Sequence, residues 1–295
     1  MQNYNSKAFL AWVTICIVWG TTYLAIKIGV TDVPPMFFAG IRWIIAGPLF
    51  FGILKLKGFK SPPVSELKHI AIVGISLLGI ANGFVVIAEQ WLPSGLTALL
   101  ITTLPFWIVG MESFIPQGPK LNIKIIVGIL LGFIGVAIIF FGDLQKLFEA
   151  EYLLGILALT GAVIFWSAGS LYSKYNKIGS HPLVSASVQM MFAGIFQLGL
   201  SIIFGEKISF NLTSNGYLSI LYLILVGSIL GYGSYIYAIR HLPISFVTTY
   251  AYINPLIALF LGWIVLDEKL NLQILLASLI IFIGVALVKK GTSGS

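Results

Sequence analysis

The sequence predicts an all-α integral membrane protein: ten transmembrane helices, folded as two five-helix repeats of inverted topology. Three observations lead there. Only 9% of the 295 residues are charged and 58% are hydrophobic, against about 25% charged in soluble domains, and the mean hydropathy is +1.01. Apolar runs near the ~20 residues that cross a bilayer recur from one end of the chain to the other. The second half repeats the first, helix by helix. A water-soluble globule of this composition would expose broad apolar surface and aggregate.

The helices are expected at residues 9–30, 35–55, 69–90, 94–115, 122–142, 153–174, 182–204, 215–239, 243–266 and 271–288. Helix 1 follows Lys7 and is too long for the apolar core of a signal peptide, so it is expected to be retained. It holds Cys16, the single cysteine, which excludes an internal disulfide. Turn signals separate later helices: Pro34-Pro35, Ser61-Pro62-Pro63, Leu92-Pro93-Ser94, Gly118-Pro119, His181-Pro182 and Leu242-Pro243. Gly79 with Gly83, Gly128 with Gly132, and Gly227 with Gly231 are spaced for close helix contact. Residues 291–295 are expected to be a remnant of cloning.

The net charge of +7 could suggest nucleic acid, but the cations sit in short loops between apolar runs, so no nucleic-acid partner is expected. With a cytoplasmic amino terminus, twelve Lys and Arg fall in inner loops and three, Lys146, Lys207 and Lys269, in outer ones. That bias predicts an inner-membrane protein with both termini cytoplasmic.

The repeat divides the chain at 1–145 and 146–290. A shift of 147 brings Trp19 onto Trp166, Lys27 onto Lys174, Pro35 onto Pro182, and Ala46-Gly47 onto Ala193-Gly194. A shift of 150 brings Gly83 onto Gly233, Leu92-Pro93 onto Leu242-Pro243, and Pro105 onto Pro255. A shift of 149 aligns Ile134-Gly135-Val136-Ala137 with Ile283-Gly284-Val285-Ala286. Five helices is an odd number, so the second half enters from the opposite face. Inverted repeats of this kind suit alternating access, because exchanging the shapes of two similar halves moves the opening from one face to the other.

Several segments carry a family resemblance. They are Trp19-Gly20-Thr21-Thr22-Tyr23, Arg42-Trp43-Ile44-Ile45-Ala46-Gly47, and Leu92-Pro93-Ser94-Gly95-Leu96-Thr97-Ala98-Leu99-Leu100 leading to Thr103-Leu104-Pro105. In the second half they are Pro243, Ala251-Tyr252-Ile253-Asn254-Pro255 and Leu266-Asp267-Glu268. In this order, on this repeat, the chain resembles the EamA family of the drug/metabolite transporter superfamily, over nearly its whole length. The resemblance implies the ten-helix EamA fold, a central cavity lined mainly by helices 1, 3, 4, 6, 8 and 9, and export or exchange of small organic solutes such as amino acids. It also implies peripheral helices 5 and 10 that can support a homodimer. The first half departs from the family's glycine-glutamate ending of helix 4, having Pro116-Gln117-Gly118-Pro119 there, which leaves Glu268 without a mate.

The residues themselves point to the same helices. Helices 5 and 10 are nearly all Ile, Leu, Val, Phe and Gly and offer a solute nothing polar. Mid-span prolines in helices 4 and 9, Pro105 and Pro255, each remove a backbone donor and are expected to break their helices. Such breaks mark transporter sites. Around them gather Thr97, Thr102 and Thr103, and Thr248, Thr249, Tyr250, Tyr252 and Asn254. Helix 3 adds Asn82, and helix 8 adds its mate Tyr232 with Tyr235. Helix 1 contributes Trp19, Thr22 and Tyr23; helix 6 contributes Trp166 and Ser170. Aromatic walls with a few hydroxyls and amides suit an amphipathic solute, although interhelical contacts are the favoured account of any single threonine or serine.

Charged groups within spans are functional suspects. Arg42 could pair with an acid, draw a substrate carboxylate, or snorkel. Lys27 near a helix end could snorkel. Glu89 could gate the cavity or pair with Lys27, and Glu112 could carry a proton or bridge to an inner lysine. The chain lacks a phosphate-binding GxxxxGK[ST] loop and a GxSxG nucleophile turn, and His69, His181 and His241, expected in inner loops, are too scattered for a metal site. No cofactor, metal or enzymatic activity is expected. The expected function is secondary transport of small metabolites, most of all amino-acid export; a passive facilitator, or a multidrug or sugar-type carrier of the same fold, is the alternative.

Overall fold

The computed structural model describes residues 6–116, 118, 121–141, 149–176, 178–207, 212–242, 247 and 250–292. Among these the secondary structure is entirely helical. The helices group into ten rods: α1 Ser6–Gly29, α2 Pro35–Leu56, α3 Val64–Ala88, α4 Ser94–Glu112, α5 Ile123–Phe141, α6 Ala150–Tyr175, α7 Pro182–Ile203, α8 Ser214–His241, α9 Tyr250–Leu266 and α10 Leu272–Thr292. Seven of them, α1–α4 and α6–α8, are long and apolar enough to cross a membrane; α5, α9 and α10 contain shorter apolar stretches. The chain is therefore a multi-pass membrane protein.

Helix starts follow local chemistry. Pro35 and Pro182 occupy first-turn positions of α2 and α7, where the missing N–H costs nothing. At the other ends of these helices stand Gly58 (φ +83°) and Gly205 (φ +65°), in the left-handed region that favours glycine after a helix. They lie 147 residues apart, the repeat shift, and so add a pair to the alignment. α10 runs on through Gly291, whose carbonyl accepts from Asn122 Nδ2 at 3.0 Å, so the helix continues into the segment expected to be a cloning remnant.

Packing is reciprocal between the halves. α1 packs on α8 and α9, while α6 packs on α3 and α4. α2 meets α8 as α7 meets α3, α2 pairs with α7, and α5 pairs with α10. Because lipid removes the hydrophobic drive for helix association, close van der Waals fit has to hold such pairs together. Glycines supply it: a Cβ on Gly194 would lie 2.5 Å from Ile44 N, and one on Gly284 2.6 Å from the Gly128 carbonyl. The outward faces of the rods carry exposed Leu10, Ile17, Leu49, Ile202, Leu221, Leu275 and Leu279, the surface a bilayer would cover.

Two expectations are corrected. α3 begins at Val64, so His69 lies within a helix, where Nδ1 is 2.6 Å from the Tyr172 hydroxyl. α4 does break near Pro105, at Thr102-Thr103, but α9 is continuous from Tyr250 to Leu266 through Pro255. The difference lies in the threonines. Thr103 donates to Leu100 O at 2.8 Å and Thr102 to Leu99 O, so both hydroxyls pull on carbonyls of the preceding turn. Pro255 sits early in its helix and removes one bond only.

Candidate functional site

α3 and α8 both contain a wide π-helical turn, at Ile75–Ala81 and Leu223–Tyr232, positions equivalent under the 150-residue shift. Such turns rotate the side chains beyond them relative to a regular helix and are frequent at functional sites. Each ends at a repeat mate: Asn82 follows the first and Tyr232 closes the second. Asn82 and Tyr232 both line a central cavity.

The cavity wall takes Trp19, Thr22 and Tyr23 from α1, Arg42 and Trp43 from α2, Asn82 from α3, Trp166 from α6, Tyr232 from α8 and Tyr250 from α9, with Ile101 and Leu104 of α4 closing it. Helix 2 is not among the lining helices that the resemblance implies, yet it supplies Arg42, a functional suspect by its charge. The repeat mates Trp19 and Trp166 meet edge to face, 5.6 Å between centroids at 87°. Trp19 also contacts Tyr235 at 5.0 Å and Tyr250 at 5.2 Å. Trp19 fits because Gly231 faces it; a Cβ there would stand 2.8 Å from the indole nitrogen.

Polar groups in this wall are unevenly satisfied. Thr22 donates to Trp19 O at 2.8 Å. Asn82 Oδ1 and the indole nitrogens of Trp43 and Trp166 are buried with no hydrogen-bond partner among the described residues. Arg42 is 4% exposed, so it does not snorkel. Its Nε donates to Ser228 Oγ at 2.7 Å and its guanidinium lies 4.2 Å from the Trp43 ring centre.

A second cavity opens at the end of the bundle that bears Lys174 and Arg240, and Ser170, Tyr235 and Gln189 line it. Tyr232 links the two, since its hydroxyl donates to Gln189 Oε1 at 2.5 Å. One aromatic layer, Trp19, Trp166, Tyr232 and Tyr235, thus separates the cavities. Thr102, Thr103 and Asn254 line neither. Thr102 and Thr103 hold the α4 break. Asn254 is 4% exposed, and in the satisfied amide orientation its nitrogen donates to Cys16 O at 2.9 Å and Tyr250 O at 3.2 Å. Thr248 and Thr249, and the side chain of Tyr252, lie outside the described residues.

Both ends of the bundle are pinned by acids. Glu112 accepts from Lys174 and from the Tyr175 hydroxyl at 2.9 Å, so it forms a bridge to a lysine. At the other end Lys27, the mate of Lys174, donates to backbone carbonyls instead, Glu89 O at 2.6 Å and Leu92 O at 3.0 Å. The Glu89 carboxylate is fully buried, and neither oxygen has a hydrogen-bond partner among the described residues. Glu268 receives Ser94 N at 2.7 Å, Ser94 Oγ at 2.7 Å and Gly95 N at 3.0 Å, capping α4. Asp267 (φ 53°) turns the chain so that Glu268 N also reaches Gly262 O at 3.1 Å. Gly262 stands where the shift of 150 places Glu112, and a Cβ there would meet the Glu268 carboxylate at 2.4 Å. One acid per half therefore occupies this position, by different routes. In the loops, Asp32 accepts from Thr213 N at 3.0 Å and Thr213 Oγ1 at 2.5 Å. Those Thr213 bonds hold its carboxyl below the usual carboxylate range.

The π turns, Trp43 and Ser228 escaped the sequence reading. A register shift inside a helix leaves no mark in hydrophobic periodicity, whereas Ser228 beside Gly227 marks a small-residue surface where a long side chain from another helix can enter.

The EamA-like transporter family matches residues 6–141 and again residues 153–289. The chain is 34% identical over 284 residues to the "Uncharacterized inner membrane transporter YedA" of Escherichia coli strain K12, covering 96% of this chain and 90% of that protein. It is 26% identical over 289 residues to the "Uncharacterized transporter YoaV" of Bacillus subtilis strain 168, covering 95% of each. A "Probable amino-acid metabolite efflux pump" of Escherichia coli strain K12 is 26% identical over 281 residues, covering 90% of this chain and 89% of its own. A crystal structure 20% identical in sequence superposes with a TM-score of 0.71 over 98% of this chain and 99% of that one, which shows a shared fold.

Proposed function

Because the chain belongs to the EamA-like transporter family, we propose that it is a secondary transporter that moves small organic metabolites across the inner membrane by alternating access, exporting amino acids or similar amphipathic compounds. In this reading all ten rods cross the bilayer, the halves are inverted, and both termini are cytoplasmic. The observation that carries it is the convergence of repeat mates on one buried cavity: Trp19 touches Trp166, and Asn82 and Tyr232 share the wall. A site on the seam between two similar halves is the one place that both can open in turn. The efflux pump among the relatives supports amino-acid metabolites as cargo. The apolar outer faces of α5 and α10, including Leu130, Phe133, Leu276 and Leu279, suit lipid or a second copy.

The test is counterflow in proteoliposomes with a panel of labelled amino acids and sugars, with and without a proton gradient. Saturable counterflow is expected, and Asn82→Ala or Tyr232→Ala should lower it about tenfold, the loss expected when a buried polar contact goes. Flux that never saturates and shows no counterflow would make the protein a passive facilitator. Unchanged flux in both variants would place the cavity elsewhere.

A further inference from the structure

Arg42 is a buried cation with no counter-charge among the described residues. No carboxylate lies within ion-pair distance among the described residues, and its single hydrogen bond runs from Nε to the neutral Ser228. A buried guanidinium in a lipid-embedded bundle is costly and is ordinarily paired. Here the arrangement fixes the group without neutralising it. The guanidinium carbon lies over the Trp43 ring, 4.2 Å from its centre. Ser228 sits in the π turn of α8 and donates to Leu223 O, five residues back, at 2.8 Å, which orients its oxygen to accept Nε. Gly227 makes room for the guanidinium, since a Cβ there would lie 3.1 Å from Arg42 Nη2. Arg42 lines the central cavity.

We propose that Arg42 is the anchor for a carboxylate on the transported solute, so that the cavity takes organic monoanions and zwitterions and rejects neutral or cationic analogues of the same shape. This deepens the transporter reading and rests on it. A guanidinium presents two parallel donors that match a carboxylate. Arg42 is the one cation among the described residues lining the cavity, which suits a single negative charge better than a doubly charged phosphate. The buried, unpartnered Asn82 Oδ1 shares the wall and needs a donor, such as an ammonium or hydroxyl on the same solute. The remaining wall, Trp19, Tyr23, Trp166 and Tyr250, fits an apolar side chain.

The test titrates the purified full-length protein in lipid nanodiscs with four probes of matched shape: L-leucine, 4-methylpentanoate, L-leucinamide and isopentylamine. Intrinsic fluorescence reports binding, because Trp43 lies under the guanidinium and Trp19 and Trp166 stand in the wall. The two carboxylates should bind at least about tenfold more tightly than the amide and the amine, and Arg42→Gln should remove that preference. Arg42→Lys, which keeps the charge without the fork, should retain part of it, and Ser228→Ala should weaken it several-fold. The ratio of carboxylate to amide affinity separates anchoring from folding, since a structural defect lowers all four together. Equal binding of leucine and leucinamide, no response to either carboxylate, or an unchanged ratio in Arg42→Gln, Arg42→Lys and Ser228→Ala would overturn the assignment. Saturable counterflow that survives these variants would leave the transporter reading standing without this anchor. Carboxylate binding lost in Arg42→Gln, with no flux in the wild type, would keep the anchor and overturn transport.

Discussion

Glu268 shows how one side chain at a helix junction can serve two elements. Its carboxylate takes two backbone N–H groups and a hydroxyl from Ser94 and Gly95, at the start of a helix whose first donors have no partner within it. Replacement by alanine should cost about 1–2 kcal/mol, the range for loss of a helix cap, read as a lower thermal midpoint in detergent; an unchanged midpoint would show that water replaces the cap. Asp32 makes the analogous link to Thr213 at the solvent-exposed end. Its folded pKa is depressed, so its contribution is full above the unfolded value of about 4. That contribution fades as pH falls through the lower folded value. The midpoint difference between wild type and Asp32→Asn should therefore be constant from neutral pH down to about 5 and shrink in stronger acid. A difference that grows on acidification would contradict the assignment. At this scale the sequence exposed residue types better than residue roles. Tryptophans, tyrosines and the buried arginine stood out by chemistry alone. Thr102, Thr103 and Asn254 looked like ligands and proved to satisfy backbone carbonyls, because a hydroxyl or amide in a membrane helix finds the nearest acceptor first.

Elements were the most legible level. Loop prolines and apolar runs placed the described helix ends within a few residues, with α3 beginning five residues before its expected start at 69, because its first turn is amphipathic, with Glu66, Lys68 and His69 among apolar neighbours. The same signal could not report helix quality. The π turns of α3 and α8 and the continuity of α9 through Pro255 depend on which carbonyls find donors, and that is settled by neighbouring side chains rather than by hydrophobic period. The α5–α10 pair tests the packing account. Gly284→Leu would drive a side chain into the Gly128 carbonyl, 2.6 Å from the position of its Cβ. The expected cost is about 1–3 kcal/mol, as for overpacking, with a lowered thermal midpoint as the readout. Full stability would mean that the two helices can part without loss.

Across the whole molecule, the proposed function rests on reciprocity. Each half lends its first helix to the third and fourth helices of the other, so the two halves share a seam rather than a simple interface. Trp19 and Trp166 mark its centre, and the cavity beside them is lined from both halves. The repeat was visible in the sequence because paired glycines, prolines and tryptophans keep their spacing. The position of the charge was not, because Arg42 has no mate: the shift of 147 places Gln189 there, which instead accepts from Tyr232. In the proposed carrier, similar halves with unlike polar groups share one solute site and two routes to it. All of this requires the halves to be threaded through the bilayer in opposite directions, so that the end of α2 and the end of α7 face opposite compartments. Site-directed labelling tests that directly. In a Cys16→Ser background, Lys60→Cys and Lys207→Cys, both exposed just beyond α2 and α7, should react with a membrane-impermeant maleimide from opposite faces of intact cells or oriented vesicles: residue 207 from outside, residue 60 only after permeabilisation. Labelling of both from the same face would contradict the inverted architecture and the carrier mechanism built on it.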